Sequence, residues 1–316
     1  MRKGLLTLLL LVFATCASAQ QEPLLTQYMF NKVYLNPAAA GVSGAVCGSG
    51  IARHQWMGLE DMQGNTIYPR TYGLSFDMPI YRIKSGVGAV LQYDMLGFEE
   101  NVNLKLMYAY HHVLKNNSML SLGFSLNMIR KSIDFSELDG WGEDPLLQSN
   151  SVENGTITDA GFGLHYQNPR KYYLGLSASN LLGSSAEIGA PEINLTRHFY
   201  LFGGYHFTVV DERDKSIVVT PGIQARATPN TFQVDINAII AYNDLFWGGL
   251  MYRVASAAGI MAGIRYNGFN LGVAWEYNHN AVSKDGNGSS VEVFVRYCYP
   301  IYPKEPRRSG FNTRNL

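Results

Sequence analysis

Histidine, acidic and cysteine side chains that could act as catalysts or metal ligands are scattered along this chain of 316 residues. His54, His111, His112, His165, His198, His206 and His279 fall in separate stretches, and no His-Glu-x-x-His, Cys-x-x-Cys or Gly-x-Ser-x-Gly occurs. Those spacings put two ligands on one helix face, or a serine on a strand-to-helix turn, so neither chemistry is prepared. His111 and His112 are adjacent and in a strand face opposite ways, so they cannot share a ligand. The sequence offers no catalytic residue, no cofactor site and no metal site.

The ionisable residues with a common setting are Asp94, Lys105, Arg226, Asp235, Arg253, Arg265, Glu276, Glu292 and Arg296. Each stands on the polar side of an alternating stretch. Turned into one interior, they would line a selective pore or pair off, because an unpaired buried charge is expensive. Lys105, Asp235, Arg265, Glu276, Glu292 and Arg296 form the candidate network. Phe202, Tyr173 and Tyr200 are bulky enough to fill the space between them, which favours a closed interior over a pore.

Such a shared interior requires strands. In Val291 to Tyr299, one parity holds Val291, Val293, Val295, Tyr297 and Tyr299, and the other holds Glu292, Phe294, Arg296 and Cys298. Successive side chains point to opposite faces, so one face is apolar and the other carries charge. A soluble sheet hides the apolar face in a core; a membrane barrel sends it into lipid. The same alternation recurs at 45–56, 69–80, 87–94, 102–111, 120–128, 160–166, 172–180, 198–209, 216–227, 231–241, 245–254, 258–266, 271–278 and 290–299, which predicts fourteen strands.

Three observations favour the membrane. Charged residues make up 16% of the chain, against roughly 25% in soluble domains. The even connections, 81–84, 114–117, 167–171, 210–215, 242–244 and 267–268, are tight, whereas 57–68, 132–158, 181–196 and 279–289 are long. Two odd connections, near Pro229 and Ser256, are short, so the alternation is imperfect. Tyr93, Tyr108, Tyr110, Tyr172, Trp275, Tyr277, Tyr297 and Tyr299 stand on the outward parity near strand ends, as aromatic girdles do; β-propensity alone also enriches them.

Arg2 and Lys3, the apolar run from Gly4 to Phe13 and the small residues Ala17-Ser18-Ala19 read as a secretory signal peptide. A lipoprotein signal acylated at Cys16 is the competing reading, and Phe13 and Thr15 suit it poorly. The formal net charge is zero, which gives no reason to expect a nucleic-acid partner. The expected organisation is therefore a signal peptide at 1–19, a lead-in at 20–44 at the barrel mouth or within the lumen, an all-β transmembrane barrel at 45–299 and a tail at 300–316. An even strand number puts both chain ends on the periplasmic side. Cys47 and Cys298 would begin the first strand and finish the last, neighbours in a closed barrel. They are either two unpaired small side chains or a disulfide. The long stretch 132–158 carries Asp134, Glu137, Asp139, Glu143, Asp144 and Glu153 around Trp141, Leu146 and Leu147. It reads as a solvated loop or as a partner dock; the acids lack the spacing of a calcium loop.

Gln27-Tyr28-Met29-Phe30-Asn31, Asn36-Pro37-Ala38-Ala39-Ala40-Gly41, Arg53 with Gln55-Trp56, and Pro69-Arg70-Thr71-Tyr72 together resemble the start of the PorP/SprF family. These are outer-membrane proteins of the type IX secretion and gliding apparatus of Bacteroidetes. The resemblance implies a non-enzymatic scaffold in outer-membrane lipid. It would join a secreted surface adhesin or cargo to periplasmic ring and peptidoglycan-linked lipoproteins. Gln27, Tyr28, Met29, Phe30, Asn31, Asn36, Pro37 and Trp141 are then the candidate partner contacts. A passive channel or uptake barrel for small solutes is the alternative.

Overall fold

The computed structural model describes residues 24–60, 64, 66–115, 118–134, 152–168, 170–188, 192–212, 214–279 and 288–301. The expected signal peptide, Trp141 with most of its acidic stretch, and the tail beyond residue 301 lie outside the described residues. The alternating stretches form strands β1 (Ala45–Met57), β2 (Arg70–Ile80), β3 (Ser85–Leu96), β4 (Glu99–Val113), β5 (Met119–Asp134), β6 (Val152–Asn168) and β7 (Tyr172–Ser179). After a small hairpin, β8 (Ser185–Glu187) and β9 (Glu192–Asn194), come β10 (His198–Tyr205), β11 (Phe207–Glu212), β12 (Lys215–Ala227) and β13 (Phe232–Tyr242). The chain closes with β14 (Phe246–Arg253), β15 (Ala257–Tyr266), β16 (Phe269–Asn278) and β17 (Ser289–Pro300).

Apart from the small hairpin, each strand pairs antiparallel with its chain neighbour, β17 returns to β1, and the β10–β12 pairing completes the circuit. Strands β10 and β11 both run along β12 and are one path broken at His206, whose backbone N–H donates to the Lys171 carbonyl at 2.7 Å. Counted that way the wall is a closed antiparallel barrel of fourteen strands, as the periodicity predicts. Strands β4, β5 and β6 outrun their predicted lengths. Their ends continue the ladder with polar pairs, such as Lys131 Nζ with Glu99 Oε1 at 2.6 Å, which an apolar count does not see.

The tight connections gather at one end, with the start of β1 and the finish of β17. The β15–β16 turn there is Asn267-Gly268, with φ of 48° and 84°. Asn-Gly is the pair that a two-residue hairpin of this hand prefers. At the long-loop end the β3–β4 connection is a tight Gly97-Phe98 turn, one more short connection on the long parity. Hairpin β8–β9 lies within the predicted 181–196 loop, and its neighbour Ile188 is fully buried against Gly155 of β6.

The wall is inside out relative to a soluble sheet. On β5, Leu120, Leu122, Phe124, Leu126 and Met128 are exposed while Ser121, Ser125 and Asn127 are buried. An apolar belt continuing around the whole circumference is unlike the surface of a water-soluble monomer and matches lipid. Tyr108, Tyr110, Tyr205, Phe246, Tyr266 and Tyr297 ring the tight-turn end, and Tyr72, Tyr252, Trp275 and Tyr277 the other. Cys47 and Cys298 stand opposite each other in the β1–β17 ladder and form a disulfide.

The interior is filled by the lead-in. Its three short 3₁₀ turns, Tyr28–Phe30, Lys32–Tyr34 and Pro37–Ala39, pack Tyr28, Val33, Tyr34, Leu35 and Ala40 against Ile51, Met107, Tyr173, Tyr200 and Phe202 of the wall. A Cβ at Gly86 of β3 or Gly123 of β5 would collide with the backbone of Ala40 or Ala38, so glycine is what lets the plug touch the wall there.

The outward belt has a direct check. Leu126→Arg, mid-strand on the outer face, is expected to cost about 2–4 kcal/mol in reversible unfolding from lipid vesicles. Val113→Arg, at the end of β4, is expected to cost about 0–1 kcal/mol. Were the outer face wetted, both surface changes would fall within about 0.5 kcal/mol of wild type.

Candidate functional site

The described chain begins at Leu24, in the long-loop half of the lumen, and meets a cluster of buried charges. Arg53 stands near the far end of β1, Arg253 ends β14, and Glu276 and Glu292 face inward from β16 and β17. Arg53 Nη2 lies 2.8 Å from Glu276 Oε2, and its Nη1 lies 3.2 Å from Glu292 Oε2. Arg253 joins the same Glu276 at 3.3 Å and Asp235 of β13 at 3.0 Å. The five side chains form one chain of alternating sign across β13, β14, β16, β1 and β17, and all are buried.

The plug completes this cluster. Backbone N–H groups of Thr26 and Gln27 donate to the two oxygens of Glu292, each at 2.8 Å. Arg53 donates to Thr26 Oγ1 at 2.7 Å, and the Thr26 hydroxyl donates to Glu276. Charge-assisted bonds of this kind are about twice as strong as neutral ones, and here the wall supplies the charges and the plug the neutral partners, three donors and one acceptor.

Further along, the plug is gripped mostly through its amides. Asn31 Nδ2 donates to Ser49 Oγ and Ser75 Oγ at 2.5 and 2.9 Å, and Asn237 Nδ2 donates to the Tyr28 hydroxyl at 2.7 Å. Asn36 caps the turn that Pro37 opens, accepting from Ala38 N–H at 2.8 Å, while its Nδ2 donates to the Leu164 carbonyl at 2.8 Å. Lys105 Nζ reaches the Tyr34 carbonyl at 3.3 Å, and Ser177 Oγ the Leu35 carbonyl at 2.6 Å. Arg296 donates to the Phe30 carbonyl and lies 3.5 Å from Asp77, which in turn accepts from Gly41 N–H at 3.1 Å. Phe30 packs on Trp247 and Phe294.

Of the sequence-derived set, Asp235, Glu276 and Glu292 come together in the ion cluster. Lys105 and Arg296 hold plug carbonyls elsewhere. Arg265 sits apart at the tight-turn mouth, paired with the exposed Asp244 and above the Phe30 ring. Gln27, Tyr28, Phe30, Asn31, Asn36 and Pro37 are buried in the lumen, and Met29 is half-buried at its mouth. Arg53, the hub of the cluster, was absent from the candidate network. Strand β1 puts Gly, Ala or Ser on both faces at 48, 49, 50 and 52, so its inward parity is hard to see. Ile51 shares the parity of Arg53 and is itself buried inward, so the apolar-outward rule points the wrong way there.

At the tight-turn mouth the plug leaves open space. Two adjoining cavities of about 270 and 230 Å³ meet at Met29, Lys32, Tyr173 and His206. Lys32 Nζ lies 3.6 Å above the centre of the Tyr173 ring. Burial first, and Arg296 second, pull its ammonium down to about 7. Among the described residues, no three His, Cys, Asp or Glu side chains are placed to hold a metal ion.

Removing the hub tests the cluster. Arg53→Met leaves Glu276 and Glu292 short of a counter-ion and is expected to lower unfolding stability by about 3–5 kcal/mol. Adding Glu276→Gln and Glu292→Gln to that variant should recover most of the loss in the same urea titration.

No curated protein matches the chain. Solved structures similar to it include the toluene transporter TbuX of Ralstonia pickettii, at 13% identity over 85% of this chain and 93% of that one, TM-score 0.47. A Pseudomonas aeruginosa FadL homologue is similar at 11% identity over 85% and 94%, TM-score 0.43. The β domain of the Bordetella autotransporter BrkA is similar at 12% identity over 82% and 99%, TM-score 0.40. The model of the type IX secretion system membrane protein family PorP/SprF matches residues 17–297. An outer-membrane barrel with this match over most of its length belongs to the PorP/SprF family.

Proposed function

We propose that this barrel is a sealed, non-enzymatic anchor of the type IX secretion and gliding machinery, not a conduit. The observation that carries the reading is the filled lumen. Residues 24–44 occupy it, tied to Arg53, Glu276, Glu292, Lys105, Ser177 and Arg296 from strands all around the wall. A passage for solutes needs a wet, continuous lumen, and this one is packed with Tyr, Leu and Phe side chains.

In this reading the tight-turn end faces the periplasm, as short turns do in outer-membrane barrels. Periplasmic ring and peptidoglycan-linked lipoproteins dock at that end, and a secreted adhesin or cargo contacts the long loops. With Gln27–Asn31, Asn36 and Pro37 enclosed, a direct partner role for them requires the plug to leave the lumen; we assign them to sealing it. Partner contacts then fall to the turns, the long loops and the tail.

In planar bilayers the full chain is expected to be electrically silent. A variant lacking residues 24–40, once shown to fold by heat-modifiable gel mobility, is expected to conduct. Steady large openings from the intact protein would instead establish a channel for small solutes. Affinity capture from native outer membrane should retain periplasmic lipoproteins of the secretion apparatus, and their absence removes the anchoring role.

A further inference from the structure

Two ammonium groups inside the barrel have no carboxylate within ion-pair distance among the described residues, Lys105 and Lys32, and their surroundings differ. Lys105 donates to the Tyr34 carbonyl beside a void of only about 20 Å³, which leaves room for a water at most. Lys32 has no hydrogen bond to any described residue and faces the two mouth cavities of about 270 and 230 Å³. The other cations at the mouth are already engaged: Arg265 with Asp244, and Arg296 with Asp77 and the Phe30 carbonyl. His206 bonds through Nδ1 to Thr220 Oγ1 at 2.9 Å, so Lys32 is the cation at the mouth without an acidic partner among the described residues.

We propose that the tight-turn mouth receives a single carboxylate carried on an extended peptide segment of a partner protein, with Lys32 as its counter-ion. A monoanion suits one uncommitted ammonium; a phosphate dianion would call for two or three free donors, and both arginines here are taken. A peptide suits the shape. The two cavities lie on either side of Lys32, one walled by Val33, Ala39 and Val42, the other by Val218, Ile239 and Ala241. Each accepts an apolar neighbour of the acid. The proposal rests on the anchoring reading only for the compartment that supplies the peptide.

The test uses the full chain in detergent micelles and two capped peptides, acetyl-Leu-Glu-Leu-amide and acetyl-Leu-Gln-Leu-amide, titrated by calorimetry. The Glu peptide is expected to bind saturably and the Gln peptide at least tenfold more weakly. Lys32→Met should weaken the Glu peptide at least tenfold, Lys32→Arg should retain it, and Lys131→Met, at the long-loop end of β5, should leave it unchanged. Should Lys32→Met fail to fold, the Glu–Gln contrast on the wild type decides alone. Equal binding of the two peptides, or an unaltered Glu affinity in folded Lys32→Met, overturns the site. Acetate binding as tightly as the Glu peptide overturns the peptide assignment. A wild type silent in bilayers that does not distinguish the peptides loses this inference alone, and a conducting wild type loses the sealed-anchor reading alone.

Discussion

A wall that gives its apolar side chains to lipid must turn its polar ones toward one another, and that constraint shapes the whole interior. In a fourteen-stranded ring the inward residues do not meet across the middle, so something has to fill the gap. Water would leave a pore. Here the chain's own first segment fills it, and the charges of the wall are matched by peptide N–H groups of that segment as well as by each other.

The Arg53–Glu276–Arg253–Asp235 chain with Glu292 is better understood as a device for position than as a source of stability. Desolvating such charges costs about as much as their attraction returns, whereas leaving one unpaired is severe. The plug therefore has one place where Thr26 also meets the cluster with its hydroxyl, and a shift of a residue in either direction takes that hydroxyl away from Arg53 and Glu276. Amide contacts further along, from Asn31 and Asn36, add direction without adding charge. Together they give an irregular segment, built from turns of three residues, a single arrangement.

The strands were legible because alternation is strong where lipid meets one face and polar groups the other, as on β5 and β17. Their full lengths were less so, because beyond the belt both faces turn polar and the ladder runs on unseen. The break at His206 and the β8–β9 hairpin leave no periodic trace. Parity revealed that Asp235, Glu276 and Glu292 point inward, but not how far up the wall each stands. Arg265 shares their parity and ends at the mouth, while Arg53 was hidden in a strand of small residues. Whether the lead-in lies in the lumen or at its rim was undecided, since three-residue turns carry no period to read.

The Cys47–Cys298 bond, finally, changes what the barrel is as an object. It joins the first and last strands of the ring, so residues 47 to 298 become a covalent hoop, with the plug held inside. Hydrogen bonds alone would let that seam part sideways into the bilayer; the sulfur bridge pins it at the tight-turn end. A substance travelling along the axis would meet a stopper tethered three residues before the clasp.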